Sequence, residues 1–157
     1  MRKPKAPEAN RARILDAAIE EFAARGFKGA SMDAIRRIVE FTYNYYLEHQ
    51  GFVRLVVAEN QAGGRRLRKS RAMRSLNRSI IDTLQRVLQR GQQDGTFRPD
   101  LDAVEIHKAI AALGMFNVTN QHTFSAIFRR EMGTRGDVAG RRAMVTDMIL
   151  QYVANRS

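Results

Sequence analysis

Cysteine is absent from this 157-residue chain, which excludes a disulfide framework and a thiolate zinc site. No apolar run approaches the ~18 residues that a membrane span needs. The opening Met1, Arg2, Lys3, Pro4 and Lys5 is charged, but no apolar stretch follows it as a secretory signal would require. A cytoplasmic protein without contact to a membrane is therefore expected. The three histidines lie far apart and give no metal-ligand spacing, so no metal and no cofactor are expected. No G-x-S-x-G elbow, phosphate-cradling glycine loop or H-E-x-x-H pair occurs, so no hydrolase or transferase constellation is present and the chain is read as a non-enzyme.

What remains is an ordinary globular composition with an uneven charge. Apolar residues make up 44% and charged residues 27%, and the 27 Lys/Arg against 16 Asp/Glu give a net +11. Such an excess favours a polyanionic partner. The location of the charge says more than its size. Residues 1–37 carry nine cations and five acids, and residues 65–78 carry seven cations and no acid. The rest of the chain balances to zero, so two basic patches sit on a neutral scaffold. Each patch has an ordinary reading as well, as a solvated tail or a solvated loop.

The apolar pattern is helical almost throughout, and strand-like alternation is missing. A first helix is predicted over about 7–25, with Ile14, Leu15, Ala18, Ile19 and Phe22 on one face. Gly26 suits its end, and Ser31 suits the cap of a second helix with Asp33 in its first turn. Helical spacing resumes through Ile38, Val39, Thr42, Tyr43, Tyr46 and Leu47 and stops near His49-Gln50-Gly51. Further helices are predicted over about 52–62, 76–93, from Pro99-Asp100 with Asp100 as cap, and over 138–154. The last of these aligns Val138, Val145, Met148, Ile149 and Tyr152.

The run Arg13, Ile14, Leu15, Asp16, Ala17, Ala18, followed by Phe22, Gly26-Phe27 and the capped Ser31-Met32-Asp33-Ala34-Ile35, resembles the opening of the TetR family of transcriptional regulators. The stretches around Tyr45–Phe52 and Phe97–Leu101 fit the same family's later anatomy. Residues 115–124 are similar to the branch that includes pyrimidine-utilisation regulators. The resemblance implies an all-α protein. An N-terminal helix-turn-helix DNA-binding domain, incomplete and confined to 1–37, would precede a helical ligand-binding and dimerisation domain over 38–157.

One departure from the family pattern is large. There the second helix leads through a glycine turn to a recognition helix and then to a long linking helix. Here Ala34-Ile35-Arg36-Arg37 passes straight to Ile38-Val39-Glu40-Phe41. About two helices, each of roughly 11–12 residues by the mean helix length, are missing. Either a segment is left out between Ala34 and Val39, or the protein lacks it. Residues 1–37 hold too few apolar groups to close a core, which favours an interruption there. A continuous helix through this region, with ordinary ~3.8 Å Cα spacing, would refute it.

The resemblance also assigns surfaces. Double-stranded DNA would meet Ser31 and the amides of its turn, with Lys3, Lys5, Lys28, Arg36 and Arg37 adding attraction to phosphates. Base-reading residues cannot be named, because the recognition helix is not in the sequence. A small-molecule effector would lie among Tyr43, Tyr46, Phe52, Asn60, Phe116, Asn117, Asn120 and Phe124, for which core packing and capping are the competing roles. A homodimer would form through the helices of about 101–122 and 138–154, with Ala109, Ala111, Ala112 and Gly114 permitting close approach. The functional expectation is a repressor that holds a palindromic operator as a dimer and releases it on binding effector. Two alternatives stay open: a truncated regulator that dimerises and binds ligand without DNA, and a small basic RNA-binding helical protein using residues 65–78 and the tyrosines.

Overall fold

The computed structural model describes residues 31–155. Five α-helices make up this part: α1 (Ser31–Glu48), α2 (Gln50–Gln61), α3 (Arg71–Gln93), α4 (Ala103–Phe128) and α5 (Arg135–Val153), with a 3-10 turn (Leu67–Lys69) between α2 and α3. No strand occurs among the described residues; a single antiparallel bridge joins Phe97 to Ala154.

α1 is the hub, packing against each of the other four helices. Its inward face carries Ala34, Ile35, Ile38, Val39 and Tyr43, all buried, at the i, i+1, i+4, i+5 spacing of a helical stripe. Around it close Leu84, Val87 and Leu88 from α3, Ile106 and Ile110 from α4, and Val145, Ile149 and Val153 from α5. A smaller cluster forms where α1 meets α2, from Tyr45, Tyr46, Phe52, Val53 and Leu55.

The expected interruption between Ala34 and Val39 is not there. α1 runs without a break through Arg36, Arg37 and Ile38. The physical reason is phase: Ala34 and Ile35 fall on the same stripe as Ile38 and Val39, so one helix buries all four in one core. Residues 31–37 therefore pack as part of the helical body.

The helix ends follow local chemistry, with some departures from the sequence-based expectation. α2 stops at Gly63 and Gly64, both in the left-handed region (φ 70° and 68°), and their amides return to Asn60 and Glu59 carbonyls. α4 is capped by Asp102, whose carboxylate accepts from the Glu105 amide at 2.9 Å; Asp100, the expected cap, instead pairs with Arg98 at 2.6 Å. α5 begins at Arg135 rather than near 138, with Thr134 accepting from the Asp137 amide and Asp137 accepting in return from Gly133.

The corner between α3 and α4 is closely packed. Gly91 faces the fully buried Phe97 ring, and a Cβ at Gly91 would come within 2.0 Å of it. The C-terminal end is stitched to this corner by Arg98 N–H to Val153 O (3.1 Å) and Asn155 N–H to Thr96 O (2.9 Å).

Candidate ligand cleft

α1, α4, the loop after α4 and the start of α5 do not close completely. They leave a small cleft open to solvent, lined by Tyr43 and Leu47 from α1, Phe116, Asn117, Asn120, Gln121 and Phe124 from α4, and Met132, Gly133, Asp137 and Val138 from the loop and α5. Its chemistry is that of a small-molecule site: apolar and aromatic walls with a few polar groups at fixed positions.

Tyr43 forms the floor. Its ring is buried, and its hydroxyl accepts from the Asn117 amide at 2.7 Å. Burial pushes its phenol above the ordinary value, and the Asn117 bond pulls the other way. The phenol therefore keeps its proton at neutral pH, free to donate to a ligand. Phe116 and Phe124 meet edge to face at 5.0 Å, and Phe124 leans on Phe128 at 5.2 Å, so the α4 wall is a ladder of rings. Asn120 donates to the Phe116 carbonyl and to the Thr119 hydroxyl. On the opposite side Gly133 is left-handed (φ 90°), and a Cβ there would lie 3.2 Å from the Gln121 amide oxygen. Asp137 is held by the Gly133 amide and lies 3.9 Å from Arg130. No cluster of three or more potential metal ligands exists among the described residues.

Five of the eight residues proposed from sequence line this cleft: Tyr43, Phe116, Asn117, Asn120 and Phe124. Tyr46 and Phe52 do not. They stack on each other at 6.4 Å within the smaller apolar cluster, where burial raises the Tyr46 phenol to about 12. Asn60 is exposed near the end of α2, where its carbonyl receives the Gly63 amide. Sequence reasoning missed Leu47, Gln121, Met132, Gly133, Asp137 and Val138. The available signal was the Gly133-Thr134 stop and start, which marks a turn beside α4.

The proposed DNA-contacting residues divide differently. Lys3, Lys5 and Lys28 lie outside the described residues. Ser31 is buried, and its hydroxyl donates to Asp94 at 3.3 Å, tying the start of α1 to the end of α3. Arg36 and Arg37 are exposed on the outer side of α1. Gly114, expected at a subunit contact, packs inside the chain with a would-be Cβ 3.1 Å from the Tyr46 ring; it lets α4 approach α1. Every exposed large hydrophobic among the described residues belongs to α4 or α5: Val104, Phe116, Ile127, Phe128, Met144, Met148 and Tyr152. None of the described helices is long and apolar enough to cross a membrane.

This architecture agrees with comparisons to known proteins. The family model described as tetracyclin repressor-like, C-terminal domain, matches residues 32–149. The chain belongs to the TetR family of transcriptional regulators. It is 30% identical over 118 residues to the HTH-type transcriptional repressor NicS of Pseudomonas putida. That match covers 75% of this chain and 56% of the relative, so the chain spans little more than half the length of the curated relative it matches. The matched region starts at residue 32, which places nearly all of α1 within the C-terminal family domain.

Proposed function

We propose that this chain is the effector-sensing and dimerising body of a TetR-type repressor, which binds a palindromic duplex operator as a homodimer and is released by a small molecule. The observation that carries the reading is the position of the cleft on α1. Tyr43 and Leu47, at its floor, share one rigid helix with Ser31, where residues 1–30 join the body. A ligand that favours one tilt of α1 shifts the balance between two arrangements of whatever precedes Ser31, by as much as its affinities for the two differ. The effector class that suits the walls is a flat, mostly apolar molecule, laid against the ring ladder of Phe116 and Phe124 and hydrogen-bonded at its edge by Tyr43, Asn117, Asn120 and Gln121.

The dimer would use the exposed apolar groups on α4 and α5, in particular Val104, Met144, Met148 and Tyr152. The test is threefold: mass in solution by light scattering, a thermal-shift screen of planar aromatic compounds, and mobility shift of duplex DNA with and without any compound that raises Tm. A dimer whose duplex complex dissolves on adding the compound supports the whole reading. A dimer that binds the compound and no duplex supports instead the body of a regulator without DNA binding. A monomer that no compound stabilises refutes both.

A further inference from the structure

The most strongly charged surface of the body has no part in the cleft. Between Glu59 and Asp82 no acid occurs, while Arg65, Arg66, Arg68, Lys69, Arg71, Arg74 and Arg78 are all exposed. Four of these cations make contacts with the body. Arg65 donates to the Ala62 carbonyl (3.3 Å) and Arg68 to Gly63 (3.3 Å), just past the end of α2, and Arg74 donates to the Arg68 carbonyl in the 3-10 turn (2.5 Å). Arg66 is anchored by the buried Glu59 carboxylate, which accepts its backbone amide at 3.2 Å and pairs with its guanidinium at 3.9 Å. A cationic surface ordered in advance loses less entropy when it meets a polyanion. Lys69, Arg71 and Arg78 complete it, and the spacing of Arg71, Arg74 and Arg78 puts those three on one side of α3.

The type of anion follows from what accompanies the charge. Six of the seven cations are arginines, whose planar forks match phosphate oxygens. No aromatic residue lies within 65–78, and the rings of the cluster that Leu67 packs against, Tyr45, Tyr46 and Phe52, are buried, so they offer no platform on which unpaired bases could stack. The exposed large hydrophobics sit on α4 and α5, away from this ridge, so the described side chains give no apolar face for entering a lipid surface. We propose that the ridge over residues 65–78 is a sequence-independent binding site for the phosphate backbone of duplex nucleic acid. It lies toward the end of α3 opposite to the one that Ser31 joins through Asp94: by helical rise Arg71 is about 33 Å and Arg78 about 22 Å from that far end. The inference rests on the body alone and stands or falls independently of the operator reading.

The experiment uses the full chain and a fluorescent 30-base-pair duplex of arbitrary sequence, titrated between 0.05 and 0.2 M salt. The variant Lys69→Gln/Arg71→Gln/Arg78→Gln removes three cations for which no intramolecular bond is described, and circular dichroism checks that it folds. Its affinity at 0.1 M salt is expected to fall by about tenfold or more, and its log–log salt slope to become shallower by about 3. Lys3→Gln/Lys5→Gln/Lys28→Gln, run beside it, is expected to retain this binding. An unchanged affinity and slope in the ridge variant overturns the proposal, and so does loss of all duplex binding in the Lys3/Lys5/Lys28 variant, which leaves the operator reading standing. Preference of the wild-type chain for phosphatidylglycerol vesicles or polyglutamate over the duplex overturns the assignment to nucleic acid.

Discussion

The two halves of α1 meet different surroundings. Ala34, Ile35, Ile38 and Val39 are apolar, and each is enclosed by side chains of α3, α4 and α5. Tyr43 and Leu47, two turns on, face a gap edged with amides, a carboxylate and rings. Dense apolar packing makes the first half stiff, so that it moves as one piece. The second half keeps polar groups whose bonding capacity a guest molecule could share. A helix that is solid at one end and hollow at the other can report occupancy of the hollow as a change of its own position, because the packed end transmits a tilt rather than absorbing it.

The sharpest test of this contrast lies at the solid side's closely packed corner. Phe97→Ala is expected to destabilise the fold by about 3–5 kcal/mol, since a fully buried ring leaves a cavity that the corner cannot collapse. Gly91→Ala alone is expected to cost about 1–3 kcal/mol by driving a methyl into the same ring. The double variant should be more stable than the sum of the two, because the added methyl fills part of the space that Phe97 vacates. Urea unfolding of the four proteins measures this cycle. Strict additivity would mean that the corner is looser than described.

Much of this half was legible in the sequence. Ile35, Ile38, Val39, Leu84, Val87 and Leu88 sit at helical spacing, and Gly63-Gly64 marks a stop with a clear mechanism. Less was legible where two polar residues competed for one role. Asp100 and Asp102 are equally good caps by type, and only the placement of Arg98 beside Asp100 decides between them. The start of α3 at Arg71 was overlooked although Met73, Leu76 and Ile80 already keep helical spacing, because residues 65–78 read as one charged run that continues the Gly63-Gly64 loop. Periodicity also aligned Met148 and Tyr152 with Val145 and Ile149, whereas the buried stripe runs through Val145, Thr146, Ile149, Leu150 and Val153 and leaves Met148 and Tyr152 about half exposed. The cleft was legible only in part for a similar reason. Spacing shows which rings share a helix face, but whether that face meets packed atoms or a gap depends on the loop carrying Met132 and Gly133, which has no period to read.

The hollow side is expected to respond in the opposite manner. Phe124→Ala should cost less than half of what Phe97→Ala costs, because the Phe124 ring is only partly enclosed, yet it should abolish the Tm shift given by a planar ligand. Tyr43→Phe leaves the Asn117 amide without its partner and is expected to cost about 1–2 kcal/mol, while weakening ligand binding. If both variants lose stability as Phe97→Ala does and keep the ligand response, the cleft is ordinary core and the contrast fails.

Smaller effects separate the cap of α4 from the ion pair beside it. Asp102→Ala is expected to cost about 1 kcal/mol through the lost bond to the Glu105 amide. Asp100→Ala removes only a largely exposed ion pair with Arg98 and should stay within about 0.5 kcal/mol. The reverse order would return the cap to Asp100.

The smallest effect concerns His107, on α4. Burial lowers its pKa from the ordinary 6.5, so the folded chain takes up this proton at lower pH than the unfolded chain does. As pH falls through about 6.5, the unfolded state gains a proton that the folded state has not yet accepted, and stability declines; above that value the contribution is constant. Asp94 and Asp100, whose carboxyls are held low by Thr96 and Arg98 respectively, add losses of their own only in the more acidic carboxylate range. Urea midpoints at pH 5.5 and 7.5, compared with those of His107→Gln, therefore separate this histidine from the carboxylates. The wild-type midpoint is expected to drop over this interval, and that of His107→Gln to stay nearly level. An equal drop in both would assign the pH response to another group and remove His107 from the account of the α4 packing.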